Sequence, residues 1–362
     1  GSHQVRAFVI DSALRWLRDF HIDALRLDAI HEIKDDAGAA DPPHAHVLAE
    51  LSDAVAALSD ELDRPLSLVA EADLNDVGVI TPTSEEPPAK APSLGMTAQW
   101  ADDVHHALHA RLTGEDQGYY GDFAEVGAWA KAYGRAFLHN GTWSTFRERN
   151  WGAPVPEDTD PRRFVVFGSD HDQVGNRAVG DRPSAILDDA ALAATAALVL
   201  LSPYTPMLFM GEEWGTRTPF QFFTDHEEDD LARSVSEGRV REFAGFGWDA
   251  DEIPDPQAAV TVEASRLRWS ELDEAEHARM LAWYQALTTL RRNLDWSQRT
   301  AWPQVDEIDD VLMVTYDDIV VAANLSGQER PAPALTTVLL SWDPFDAAAP
   351  SLSPGQTLIA RR

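Results

Sequence analysis

The chain has 362 residues, 44% of them apolar and 25% charged, which suits a folded protein of one large and one small domain and excludes a disordered chain. Its 29 basic and 61 acidic residues leave a net charge of -32, which repels phosphate backbones and anionic membrane surfaces, so no nucleic acid and no membrane are expected as partners. With no cysteine there is no disulfide framework, thiolate nucleophile or cysteine-ligated zinc.

Residues 1–20 lack the basic, apolar and small-residue order of a signal peptide, so a cytoplasmic location is expected; Gly1-Ser2-His3 reads equally as a cloning remnant or as native loop. From Val5 to Phe20 the apolar residues Phe8, Val9, Ala13, Leu14, Trp16 and Leu17 recur at helical spacing. A short β pattern over 23–28, a helix over 44–62 and a strand over 65–71 follow. Thr81 to Pro92, rich in proline, is a loop. Further apolar strands are predicted at 96–100, 164–168 and 206–210, with helices at 123–138 and 187–201 between them. Unbroken runs such as Phe164-Val-Val-Phe suit strands buried on both faces, and their alternation with helices predicts an α/β fold, a (β/α) barrel of parallel strands. An acidic insertion at 225–242 and a helix at 274–292 come next. Four short β runs, at 311–316, 319–324, 336–342 and 357–361, then predict a small C-terminal β-sandwich-like domain. The division expected is a barrel over 1–295 and a β domain over 296–362, without internal repeats.

Three carboxylates stand at or just beyond the ends of predicted parallel strands: Asp28, Glu71 and Asp172. The strand ends of an α/β barrel open on one face, where residues distant in sequence converge. Hydrolysis of a glycosidic bond with retention needs two carboxyls roughly 5 to 5.5 Å apart, one to attack the anomeric carbon and one to protonate the departing oxygen. Arg26 lies two positions before Asp28, so both side chains point the same way and the cation favours a charged nucleophile. Leu68, Val69 and Ala70 ahead of Glu71 favour the desolvated, protonated state that a general acid needs.

Asp23-Ala-Leu-Arg-Leu-Asp-Ala-Ile-His31, Ala70-Glu-Ala-Asp-Leu-Asn-Asp76 and His171-Asp-Gln-Val-Gly-Asn-Arg177 resemble the nucleophile, acid/base and stabiliser motifs of the α-amylase family of glycoside hydrolases. Ala98-Gln-Trp-Ala-Asp-Asp-Val-His-His-Ala-Leu-His109, Met210-Gly-Glu-Glu-Trp-Gly215 and Pro219-Phe-Gln-Phe-Phe-Thr-Asp-His226 agree, so the resemblance runs from residue 5 to about 300. It implies hydrolysis of the α-1,4 bond next to the trehalose end of maltooligosyltrehalose, or of a related α-glucan, with release of trehalose. Asp28 would form the glycosyl-enzyme, Glu71 would donate and later accept the proton, and Asp172 would bind sugar hydroxyls. Arg26, His31, Trp100, Asp102, His171, Gln173 and Arg177 would contact substrate, with Asn176 helping to shape the subsite. No cofactor is implied. His105, His106 and His109 fall on a predicted helix without a matching Glu or Cys, so they are read as a solvated helix face and no metal is expected.

Two departures from the family pattern stand out. Asp170 precedes the His-Asp pair where Asn is usual, and its charge near Asp172 is expected to weaken activity at low pH. The motif of the family's third strand is absent, which implies only the C-terminal part of a (β/α)8 TIM barrel, strands four to eight. Such a piece leaves two sheet edges open. The missing N-terminal half is therefore expected from a longer chain, and the isolated chain is expected to turn over weakly or not at all. A glucan branching enzyme, a maltooligosaccharide amylase with the same triad, and a non-catalytic α-glucan-binding fragment remain open as alternatives.

Overall fold

A computed structural model describes residues 2–35, 45–88, 90–244 and 249–362; the expected helix start at His44 lies outside the described residues. In chain order the helices are α1 (His3–Asp19), α2 (Val47–Leu62), α3 (Asp102–Thr113), α4 (Ala128–Arg135), α5 (His171–Gly175), α6 (Pro183–Ile186), α7 (Asp189–Leu200), α8 (Asp229–Ala244), α9 (Ala259–Ala264) and α10 (Ala275–Asn293). The strands of the first sheet are β1 (Ala24–Leu27), β2 (Ser67–Ala70) and β3 (Ala98–Trp100), followed after the hairpin β4 (Thr142–Ser144) and β5 (Arg149–Trp151) by β6 (Phe164–Phe167) and β7 (Thr205–Met207). Then come β8 (Gln304–Ile308), β9 (Val311–Tyr316), β10 (Ile319–Asn324), β11 (Arg330–Pro331), β12 (Thr337–Ser341), β13 (Ser351–Leu352) and β14 (Thr357–Arg361). No helix among the described residues is long and apolar enough to cross a membrane.

The chain divides into two compact units. The first comprises Gly1–Val166, Pro203–Thr205 and Ser297–Pro303; the second comprises Phe167–Ser202, Pro206–Trp296 and Gln304–Arg362.

In the first unit, β1 pairs with β2, β2 with β3 and β3 with β6, all parallel, within a five-stranded sheet of order β1-β2-β3-β6-β7. The apolar run of β6 is buried at every position, as a strand covered on both faces must be. Helix α2 buries Leu48, Leu51, Val55 and Leu58, a stripe at three- and four-residue spacing, and ends where Asp63 turns left-handed. Helix α1 departs from its expected face: only Arg6, Ala13 and Leu17 are buried, while Phe8, Val9 and Trp16 stay exposed. Arg6 is drawn in by ion pairs to Asp35 (2.5 Å) and Glu50 (2.7 Å), a tertiary effect that periodicity cannot reveal. The helix expected over 123–138 is shortened to α4, because Gly127 at φ +83° interrupts the chain after a 3-10 segment, Gly118–Ala124. The three histidines of α3 are also corrected. His105 and His109 are buried rather than solvated, stacked ring on ring at 5.5 Å, and His106 packs edge-on to Tyr120 and Phe123. Burial holds His105 well below its ordinary value and His106 at about 3, so both are neutral aromatic packing groups.

In the second unit, the carboxylate of Asp188 accepts from the Ala191 amide at 2.8 Å and so caps α7, an alanine-rich helix. Trp283 of α10 donates to the Ala193 carbonyl of α7 at 3.0 Å. The acidic stretch read as an insertion is helical, α8. Its buried Arg239 donates to the carbonyls of Gly175 (2.7 Å) and Arg177 (2.9 Å), and this contact, silent in the composition, anchors the helix. The C-terminal region forms an antiparallel sheet of order β12-β14-β10-β9-β8 with a separate β11-β13 pair. Val320, Ala322, Leu352, Leu358 and Ala360 form its core.

Candidate active site

The register of the first two strands sets the site. Leu27 lies opposite Ala70, the Glu71 amide donates to the Leu27 carbonyl at 2.9 Å, and the Ile30 amide donates to the Glu71 carbonyl at 3.1 Å. Asp28 and Glu71 therefore leave the same end of two neighbouring parallel strands, whose axes run about 4.8 Å apart. Arg26 spans the pair: Nη1 donates to Asp28 Oδ1 at 2.5 Å, and Nη2 lies 3.6 Å from Glu71 Oε2. The guanidinium lies 4.5 Å from the ring centroid of Trp100, which is buried at the end of β3. Cation–π contact of this kind fixes the plane of the cation. Glu71 is mostly buried, with 15% of its side chain exposed, whereas Asp28 keeps 76% exposed, so the two acids occupy different environments on one rim.

Backbone strain supports the pair. Ala29 sits at φ +42°, a left-handed conformation rare for a residue with a Cβ, and its amide donates to Glu71 Oε2 at 2.5 Å. His31 Nδ1 accepts from the Asp73 amide at 3.2 Å, so this ring nitrogen is engaged by the chain itself. Asp102 is half-buried in the first turn of α3.

Two elements of this rim escaped sequence reasoning. Arg147, in the turn of the β4–β5 hairpin, grips Asp73 through both Nε and Nη2, and its guanidinium lies 5.1 Å from the Trp151 ring centroid. Asn75 donates to buried Asp103 (2.8 Å) and to the His139 carbonyl (3.3 Å), which pins the loop after β2. Burial pushes the Asp103 carboxyl up to about 6, against the amides of His139 and Leu138 that donate to it. The only sequence signal was the presence of Asp73 and Asn75 inside the Glu71 motif; nothing marked Arg147.

Asp172 lies in the second unit, in the first turn of α5, exposed and accepting from Asn176 Nδ2 at 3.3 Å. Asp170 is the N-cap of this helix, accepting from the Gln173 amide at 2.7 Å, a task Asn and Asp perform about equally. Burial pushes the Asp170 carboxyl up, and the neighbouring Asp172 charge pushes it the same way. His171 is exposed, Gln173 is half-buried, and Arg177 pairs with Asp181 at 2.9 Å.

No family model matches the chain. It is 46% identical over 361 residues to the malto-oligosyltrehalose trehalohydrolase of Arthrobacter ramosus, covering 99% of this chain and 61% of that protein. It is 44% identical over 354 residues to the Mycobacterium tuberculosis (strain H37Rv) protein of the same name, covering 94% and 58%. A solved structure of a Salmonella typhimurium protein named as an alpha amylase superposes with a TM-score of 0.86 at 34% identity, over 99% of this chain and 60% of that one. The relatives that the chain matches over nearly all its length are malto-oligosyltrehalose trehalohydrolases, and it spans about three fifths of their length.

Proposed function

We propose that this chain carries the carboxylate machinery of a retaining α-glycosidase that cleaves the α-1,4 bond next to the trehalose end of maltooligosyltrehalose and releases trehalose. Asp28 attacks the anomeric carbon while Glu71 protonates the leaving oxygen; Glu71 then draws a proton from water, which opens the glycosyl-enzyme with net retention. Arg26 holds Asp28 through the hydrogen bond to Oδ1 and aligns it as it attacks. Asp172 serves as the third carboxylate and His171, Gln173 and Arg177 as its sugar-binding neighbours, a reading supported by their motif. Trp100, Asp102 and His31 complete the proposed contacts.

The observation that carries this reading is the register of β1 on β2, which leaves Asp28 and Glu71 side by side under one guanidinium. We read the five strands of the sheet β1-β2-β3-β6-β7 as strands four to eight of a (β/α)8 barrel, followed by a β domain over 296–362, in a protein acting in the cytoplasm. The rest of the barrel would come from further polypeptide. A short match, 63% identical over 30 residues, to a 1,4-alpha-glucan branching enzyme from Ralstonia nicotianae keeps a second reading in play.

Product analysis separates the two. Prolonged incubation with maltooligosyltrehalose is expected to release trehalose at a low rate, abolished by Asp28→Asn. New α-1,6 linkages, or glucose and maltose from plain maltooligosaccharide, would favour a branching enzyme or an amylase. Glucan binding without turnover, indifferent to Asp28→Asn, would favour a binding fragment.

A further inference from the structure

A cavity of about 30 Å³ lies within the second unit, with Ser169, Arg182, Leu192, Thr195, Glu212 and Tyr284 among the residues that line it; Ser169 stands three positions before Asp172 in the chain. Its volume suits two waters or one small ion. Arg182 is 3% exposed. Its Nε donates to the Thr218 carbonyl at 2.6 Å and its Nη1 to the Met210 carbonyl at 2.9 Å, but its buried Nη2 has no hydrogen-bond partner. No carboxylate of the described residues comes within ion-pair distance of this cation. A buried guanidinium with no carboxylate in contact and one donor unmade is costly unless something meets it.

The carboxyl of Glu212 does not supply it. Oε2 accepts from Ser169 Oγ at 3.2 Å and Oε1 faces the Tyr284 hydroxyl at 3.4 Å. Glu212 retains some accessible surface, as a residue lining a cavity does, yet protein surrounds it closely enough for desolvation to push the acid up to about 8. Burial also lowers Arg182, to about 10, and raises Tyr284 well above its ordinary value, so near neutral pH the wall carries one cation, one neutral acid and one neutral phenol. Glu213 and Glu271 lie in the field of Arg182 as well, but Glu271 is engaged by Trp214, Thr216 and Arg268. Ser169 Oγ and Tyr284 Oη can each donate to Glu212 or accept its acid hydrogen, and where both donate, that hydrogen is left for a guest in the cavity. Two donors, one of them charged, thus line one cavity.

We propose that this cavity binds one small monovalent anion, of halide size, held between the Arg182 guanidinium and the acid group of Glu212. Ionisation of Glu212 replaces a donor with a like charge, so the anion leaves as pH rises through about 8. Bromide is the probe. Thermal unfolding of the full chain is compared in sodium bromide and in sodium gluconate at equal ionic strength. At pH 6.5 the melting temperature should rise by about 2 °C in bromide at roughly ten times its dissociation constant. The rise should vanish at pH 9 and in Arg182→Gln, whereas Glu212→Gln, whose amide still donates, should keep it at pH 9. Equal melting in the two salts at pH 6.5, as a cavity holding only water would give, overturns the proposal. So does an undiminished bromide effect in Arg182→Gln. Should Arg182→Gln fail to fold, a bromide effect that responds identically to pH in the native chain and in Glu212→Gln is the overturning result. The measurement involves no turnover, so its outcome is independent of the proposed glycosidase activity.

Discussion

Replacing Glu212 with Gln tests how far burial governs the second unit. The folded chain holds the Glu212 proton up to about pH 8, while the unfolded chain releases it near the ordinary value of 4.5. Between those limits the folded state binds more protons, so stability is fully present below about pH 4.5 and falls as pH rises, by about 1.4 kcal/mol for each pH step, until the folded acid ionises. Carried from 4.5 to about 8, the loss is up to about 5 kcal/mol. Gln cannot titrate. Its carbonyl still accepts one of the two hydrogen bonds from Ser169 and Tyr284, so the variant should match the native chain within about 1 kcal/mol at pH 5. At pH 9 it should be the more stable by several kcal/mol, a gap of about 6 °C in melting temperature. Urea and thermal unfolding at pH 5, 7 and 9, in gluconate buffer free of halide, read this directly. Parallel pH profiles for the two proteins would refute the reasoning.

Asp170→Asn keeps the cap on α5 and removes a buried carboxyl whose ionisation is disfavoured, so its melting temperature should equal or slightly exceed the native value at pH 7 and lose that advantage near pH 3. A loss of several degrees at pH 7 would show that the negative charge itself is needed there. Gly152 sits at φ +70°, and a Cβ there would stand 2.0 Å from the His139 carbonyl oxygen, so Gly152→Ala should cost more than about 2 kcal/mol in urea unfolding. Arg26→Lys keeps the charge but cannot span Asp28 and Glu71 as a planar fork does. The initial rate of trehalose release should fall at least about tenfold with little change in unfolding midpoint, and an unchanged rate would remove Arg26 from the site.

The strand ends were readable because apolar runs stop abruptly: Leu-Val-Ala at the charged Glu71 and Phe-Val-Val-Phe at Gly168 can hardly lie elsewhere than in a covered sheet. The parallel alternation and the antiparallel C-terminal strands followed from the same patterning. What the sequence hid depends on partners far along the chain. Three-residue strands such as β4 and β5 carry too few side chains for a period of two to show, so Arg147 gave no sign that it reaches Asp73. Arg6 and Arg239, which no motif in the sequence marks, are buried, each because carboxylates or carbonyls from another element meet it. The histidines of α3 look solvent-facing by composition, yet the tyrosines after the helix fold back over them. Stripe-reading fails in such places because it prices each residue alone.

The left-handed turn at position 29 gives Glu71 an orienting contact that belongs to the main chain, and no side-chain replacement at that position other than Pro, which has no amide hydrogen, deletes it. Only φ is at stake. In a saturation library, Gly, Asn and Asp should be accepted at position 29, while Val, Ile and Pro should be depleted, a tolerance profile set by torsion rather than by size or polarity.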